Sequence, residues 1–200
     1  MVIRKADIIF ATSNKGKVEL ANERLNRYGI NITQQTASVQ EIQSIDVEEV
    51  ALHKARQLEG IIKKPFFVED SGLYIDKLNG FPGALLKPVM DTIKDDHLLK
   101  MLSGEENRSA CIKSVLAYYD PVSNTEKLFI GIYKGRISEE ERGNDTRGWK
   151  VSRIFIPDNF EKTLAEMDDD DWARTLEESR KDDHFYKFGE WFSKNNQVPI

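Results

Sequence analysis

The chain has a single cysteine, Cys111, so it can form no internal disulfide, and a reducing compartment, the cytoplasm, suits it. Inside "SACIKSVLAYY" that cysteine reads as a small buried hydrophobe. No apolar run is long enough to span a bilayer, and the opening "MVIRKADIIFATS" is too short in apolar residues for a signal peptide. Positive charge is not in excess: 29 Lys and Arg face 34 Asp and Glu, a net charge of -5. That balance argues against a general nucleic-acid binder, while leaving room for a local basic patch that binds phosphates. Two glycine signatures are missing. Without G-x-G-x-x-G there is no dinucleotide loop, and without G-x-x-x-x-G-K-[ST] there is no Walker A loop. Neither nucleic acid nor membrane is expected as a partner.

What is present suffices for a core: 40% hydrophobic and 10% aromatic residues in 200. "DIIFAT" reads as a buried strand, "SNKGK" as a polar loop, and Val18, Ala21, Leu25 and Tyr28 as a helix stripe stopped by Gly29. "INITQQTASV" is a second strand. "SIDVEEVALHKARQLEGIIKK" is a helix capped by Asp46, with Glu49 three residues on and Val47, Ala51, Ala55, Leu58 and Ile62 along its apolar stripe. "KPFFVEDSGLYI" predicts a strand and then a turn at Asp70-Ser71-Gly72; "NGFPG" is another turn. "VMDTIKDDHLLKML" predicts one helix ending at Gly104. "SACIKSVLAYYD" and "EKLFIGIYKGRIS" form a hairpin through "DPVSNT", and Phe185, Phe188, Trp191 and Phe192 share one face of a last helix. The acidic run "EMDDDDW" reads as a solvated loop. Strands alternating with helices, then a late hairpin, give an α/β chain with a mixed sheet. One domain spans 1–200, with room for two lobes.

Three elements carry chemistry. A loop between a strand and a helix N-terminus collects N–H groups and the positive end of the helix dipole. Thr12, Ser13 and Asn14 add donors there, Lys15 and Lys17 add charge, and Gly16 allows close approach of the backbone, so the loop suits a phosphate chain; an ordinary βα loop is the alternative. Lys54 falls on the apolar stripe of the second helix, where it must snorkel to water or find an anion. Glu69 and Asp70 follow "FFV", and strand alternation turns them to opposite faces. A carboxylate at that place can bind Mg²⁺ or orient a water, and Glu41 can be a second such ligand. Basic loop, inward lysine and carboxylates together suit cleavage of a nucleoside triphosphate.

"ATSNKGKV", Glu41, "HKA", "VEDSGL", "GFPG" and "RG…GW…IFIPD…KTLAEM" resemble, in order and over nearly the whole chain, the inosine triphosphate pyrophosphatase (Ham1-like) family. The resemblance implies an elongated mixed α/β fold with a central cleft, a homodimer, and Mg²⁺-dependent hydrolysis between the α- and β-phosphates to monophosphate and pyrophosphate. It implies that residues 12–17 hold phosphates, Asn14 and Lys17 most directly, that Lys54 faces them and that Ser71 lines the pocket. Glu41 and Asp70 then serve the metal, with Asp70 as proton acceptor for the attacking water. Around the base the pattern changes. The family's aromatic-Gly-aromatic-Asp-Pro run is replaced by "RGWKVSRIFIPD". Counting back from "IFIPD" puts Trp149 on the stacking aromatic and Ser152 on the aspartate; counting forward from Arg142 puts Arg147 and Lys150 there. Before the last helix the family's Ser-His-Arg becomes Ser179, Arg180 and Lys181, the preceding lysine becomes Thr175, and His184 fits the histidine only in a shifted register. Trp149, Arg180 and Lys181 are therefore the expected base-side residues, with altered base selectivity. The alternative is a nucleotide-binding protein of the same fold that hydrolyses little or nothing.

Overall fold

Strand β1 (Ala6–Ala11) is short and apolar because both of its faces are covered, and Ile8 and Phe10 are buried. The computed structural model describes residues 6–144 and 149–195. After β1 the chain runs through α1 (Lys15–Leu25) and a 3₁₀ turn that Gly29 ends at φ 71°, a left-handed conformation glycine adopts without strain. Then come β2 (Ile30–Gln35), α2 (Val47–Leu58), β3 (Phe66–Ile75), β4 (Pro82–Gly83), α3 (Leu86–Thr92) and α4 (Lys94–Met101). The hairpin β5 (Ser109–Asp120) and β6 (Thr125–Ile137) follows, then β7 (Phe155–Pro157), α5 (Asp169–Ser179) and α6 (His184–Asn195). The sheet order is β2-β1-β3-β5-β6-β7, with β4 added to the free edge of β3. β1 is parallel to β2 and β3, and the other pairings are antiparallel. This is the mixed sheet flanked by helices that the sequence predicts.

Several local expectations are corrected. Residues 70–72 are not a turn: β3 runs unbroken for ten residues, because β5 pairs with it from Phe66↔Tyr119 to Ile75↔Ala110 and overrides the local turn preference. The predicted helix through residues 89–102 is two helices, broken where Lys94 takes φ 63°. The acidic run is no loop. Asp168 caps α5 by accepting from the Asp171 N–H at 2.8 Å, and Asp169, Asp170 and Asp171 fill the first turn, where the helix dipole favours acids. Asp46 does cap α2, but Glu49 accepts from the Ser44 hydroxyl at 2.7 Å instead of closing a capping box. Ile62 is buried beyond the end of α2, β2 stops at Gln35, and Cys111 is only half-buried.

Strand β3 crosses between two apolar bodies. Phe67 packs with α1 and α6, and Phe66 and Val68 pack with α2 on the other face. Leu73 and Ile75 belong to a second body with Leu98, Ile137 and Phe155. Glu69 to Gly72 lie at the seam. Their edge is open as well: β1 pairs with β3 only as far as Phe10↔Phe67, and β4 joins at Leu73↔Gly83. The two acids thus stand in a gap along a sheet edge, where polar side chains escape the core on both faces.

Gly72 holds one wall of that gap. A Cβ there would sit 2.6 Å from the Gly83 carbonyl oxygen and 2.9 Å from the Ala84 nitrogen, both rigid backbone. Gly72→Ala is expected to destabilise the protein by roughly 1–3 kcal/mol through overpacking. Urea unfolding measures this, and a change inside the scatter of ordinary surface substitutions contradicts the account.

Candidate active site

The loop after β1 closes on itself before it meets any ligand. Thr12 Oγ1 accepts from the Asn14 N–H at 3.1 Å, and Asn14 Oδ1 caps α1 by accepting from the Lys17 N–H at 3.2 Å. Lys15 and Gly16, expected in the loop, lie in the first turn of α1, which holds no acid and turns its positive end to the loop at Ser13. The first turn of α1 also aims Lys17 across the gap. Its Nζ lies 2.6 Å from Glu69 Oε2 and 3.4 Å from the Glu69 carbonyl oxygen.

On the opposite face, α2 delivers Lys54, which is 9% exposed and has found anions instead of snorkelling. Its Nζ is 2.5 Å from Glu41 Oε1 and 2.7 Å from Asp70 Oδ1. The Glu41 side chain is 66% exposed, yet the backbone of the preceding residue is held, for Gln57 donates to the Gln40 carbonyl at 2.7 Å and accepts from the Gln40 N–H at 2.8 Å. Gln57 lies three residues after Lys54 on α2, so one helix face orders both ends of the Glu41 contact.

The charges differ in state. Burial pushes the Asp70 carboxyl up, and the Lys54 and Lys17 ammonium groups only partly oppose this. Burial also works against the Glu69 carboxylate, but there the Lys17 ammonium, with hydrogen bonds from Lys17 and Ser71, prevails and holds it below the usual range. Glu41 is held down by its Lys54 hydrogen bond. Lys17 is penalised by burial, and Glu69 and Asp70 raise it nonetheless. Asp70 Oδ2 is buried with no hydrogen-bond partner in the protein. Acceptors of that kind, beside a second carboxylate, form an oxygen-only donor set that fits a hard cation or a water. Among the described residues no group of three or more His, Cys, Asp or Glu stands ready to hold a metal, so such an ion would draw most of its ligands from water and phosphate.

Ser71 shares the Glu69 face. Its Oγ donates to Glu69 Oε1 at 2.6 Å and lies 2.9 Å from Ser114 Oγ on β5. Ser114 and the role of Glu69 as partner of Lys17 were not legible in sequence, since both depend on the β3–β5 register. The base-side residues lie apart from this network. Trp149 packs half-buried against the second apolar body, and the Ser152 hydroxyl donates to its carbonyl at 2.8 Å. Arg180 lies 5.0 Å over the Tyr186 ring and pairs with Glu177 at 3.2 Å, while Lys181 is exposed. Thr175 is buried against the Tyr133 hydroxyl, Lys150 pairs with Asp91, and Arg147 lies outside the described residues. Among the described residues, no hydrogen bond or ion pair joins Arg180 or Lys181 to Trp149.

The family model described as the Ham1 family matches residues 8–178. A dITP/XTP pyrophosphatase of Methanopyrus kandleri is 39% identical over 188 residues, covering 94% of this chain and 97% of that protein. One from Pyrococcus horikoshii is 40% identical over 192 residues, covering 94% and 97%. The solved Staphylococcus aureus Ham1 protein superposes with a TM-score of 0.78 over 96% of this chain and all of that one; at 21% identity, that likeness speaks for the fold.

Proposed function

The chain belongs to the Ham1 family, and from that premise we propose that it is a nucleoside triphosphate pyrophosphohydrolase of non-standard purine nucleotides. The observation that carries this reading is Lys54 bridging Glu41 and Asp70 across the sheet edge from the Lys17–Glu69 pair. Residues 12–17, which span the loop and the first turn of α1, bind the phosphates together with Lys54, and Ser71 lines the pocket through Glu69. Water adds across the α–β anhydride: its oxygen bonds to phosphorus, the anhydride P–O bond breaks, and Asp70 takes the proton. The products are a nucleoside monophosphate and pyrophosphate. Glu41 and Asp70 would hold Mg²⁺, which supplies charge neutralisation on the phosphates. Trp149 stacks on the base, and Arg180 and Lys181 border the base side.

Base selectivity is altered in this reading. Ser152 donates its hydroxyl proton to the Trp149 carbonyl and carries no carboxylate, so it does not supply the charge of the family's aspartate. Losing a buried polar partner costs roughly 1–3 kcal/mol, about tenfold or more in discrimination. The active species is a homodimer in the cytoplasm; sedimentation of the purified protein tests the dimer.

The deciding experiment is pyrophosphate release from a panel of ITP, XTP, dITP, GTP and ATP with Mg²⁺. Equimolar monophosphate and pyrophosphate are expected, with preference for ITP and XTP reduced to about tenfold or less. A preference above a hundredfold overturns the altered selectivity, and absence of pyrophosphate from every triphosphate overturns the enzymatic reading.

A further inference from the structure

One buried polar atom beside the site has no role in the reaction described so far. His184 opens α6, is 6% exposed, and its Nε2 has no hydrogen-bond partner. The nearest charged acceptor is Glu69 Oε1, 3.9 Å away, on the carboxylate whose other oxygen holds Lys17. Its position is built into the sheet. Ser71, Ser114 and Gly131 form one row across β3, β5 and β6, and His184 sits over the glycine end of that row. A Cβ on Gly131 would come 2.8 Å from the His184 nitrogen and 3.0 Å from its Nδ1, so only glycine lets the histidine lie this close to the sheet.

Lys17 has two claims on its ammonium group: Glu69 in the free protein and, on the function proposed above, a phosphate in the complex. Glu69 cannot be abandoned cheaply. It is 9% exposed, and a buried carboxylate stripped of its cation costs far more than the ion pair was worth. The Ser71 hydroxyl already supplies one hydrogen bond, to Oε1. Arg24 also feels Glu69 but is paired with Asp183, which leaves the unpartnered His184 Nε2, 3.9 Å away, as a free donor among the described residues. We propose that His184 is a positioning residue that takes over Glu69 as the triphosphate binds, donating from Nε2–H across the gap it now leaves open and so releasing Lys17 to the phosphates. Burial pushes the imidazole down to about 4, so it acts as a neutral donor at neutral pH and adds no proton to the site.

The test compares wild type, His184→Ala and His184→Gln in steady-state pyrophosphate release from whichever triphosphate the wild type hydrolyses best. His184→Ala is expected to raise KM about tenfold or more, the worth of a hydrogen bond to a charged group, with kcat within about twofold. Glutamine, a neutral donor of similar reach, is expected to recover most of that loss. A merely structural histidine would lower the melting temperature and leave KM alone. Should His184→Ala not fold, the ¹⁵N-labelled wild type titrated with pyrophosphate and Mg²⁺ serves instead, since the His184 imidazole resonances must shift on saturation. An unchanged KM in folded His184→Ala, or unmoved His184 resonances at saturating pyrophosphate, overturns the inference while the hydrolytic reading stands. A wild type that releases no pyrophosphate sinks both.

Discussion

Asp70→Asn is expected to lower kcat by about a thousandfold while triphosphate binding changes by no more than a few-fold, the middle of the range for loss of a general base. Asparagine keeps the shape of the side chain, and its amide oxygen can still accept from Lys54, which lies 2.7 Å from Asp70 Oδ1. What disappears is the second oxygen. Oδ2 is buried and unpartnered, the only one of the two free to take a proton. Its basicity is suited to the task, because burial lifts the Asp70 carboxyl above the ordinary aspartate range even with two lysines nearby. Turnover is read from pyrophosphate release, and binding from calorimetry with a non-hydrolysable triphosphate. A variant that retains a tenth of wild-type kcat removes Asp70 from the role of base. A variant that loses binding as well makes it chiefly a ligand for substrate or cation.

The residues proposed to hold phosphate were legible in sequence because most of them are consecutive. A strand, a capped loop and a helix follow one another within residues 6–25, and Lys54 betrays itself by interrupting a helix stripe. What local patterns could not convey was the length of β3. Asp-Ser-Gly is turn chemistry, and only the β5 register, formed with residues some forty positions away, shows that it is overridden. The same register lines Ser114 up with Ser71, and β6 adds Gly131, so the floor under His184 is assembled from three strands. The break at Lys94 was hidden for the opposite reason: nothing in "TIKDD" marks a stop, yet Lys94 takes a positive φ. A charge run looks the same in a solvated loop and in a helix's first turn, so nothing local in acids 168–171 announces the cap they form.

Lys54→Met isolates the charge at the centre of the site. Methionine keeps a flexible apolar stem on the α2 stripe, so the fold is expected to persist, but Glu41 loses its tether and Asp70 its nearest cation. Two consequences separate this change from simple damage. First, kcat/KM should fall about a hundredfold or more, in line with removing a preorganised group that stabilises developing charge. Second, the acid limb of the pH profile should move. Only ionised Asp70 accepts a proton, so activity is lost as pH falls through its pKa. Burial already pushes that pKa up and Lys54 opposes burial, so deleting the ammonium raises it further and shifts the limb to higher pH. Lys54→Arg keeps the charge but replaces a compact ammonium lodged between two carboxylates with a planar fork, so it should retain the wild-type limb while still losing rate. Profiles of kcat/KM from pH 5 to 9 for the three proteins distinguish the cases. An acid limb that stays in place in Lys54→Met means that Asp70 is not the group being titrated.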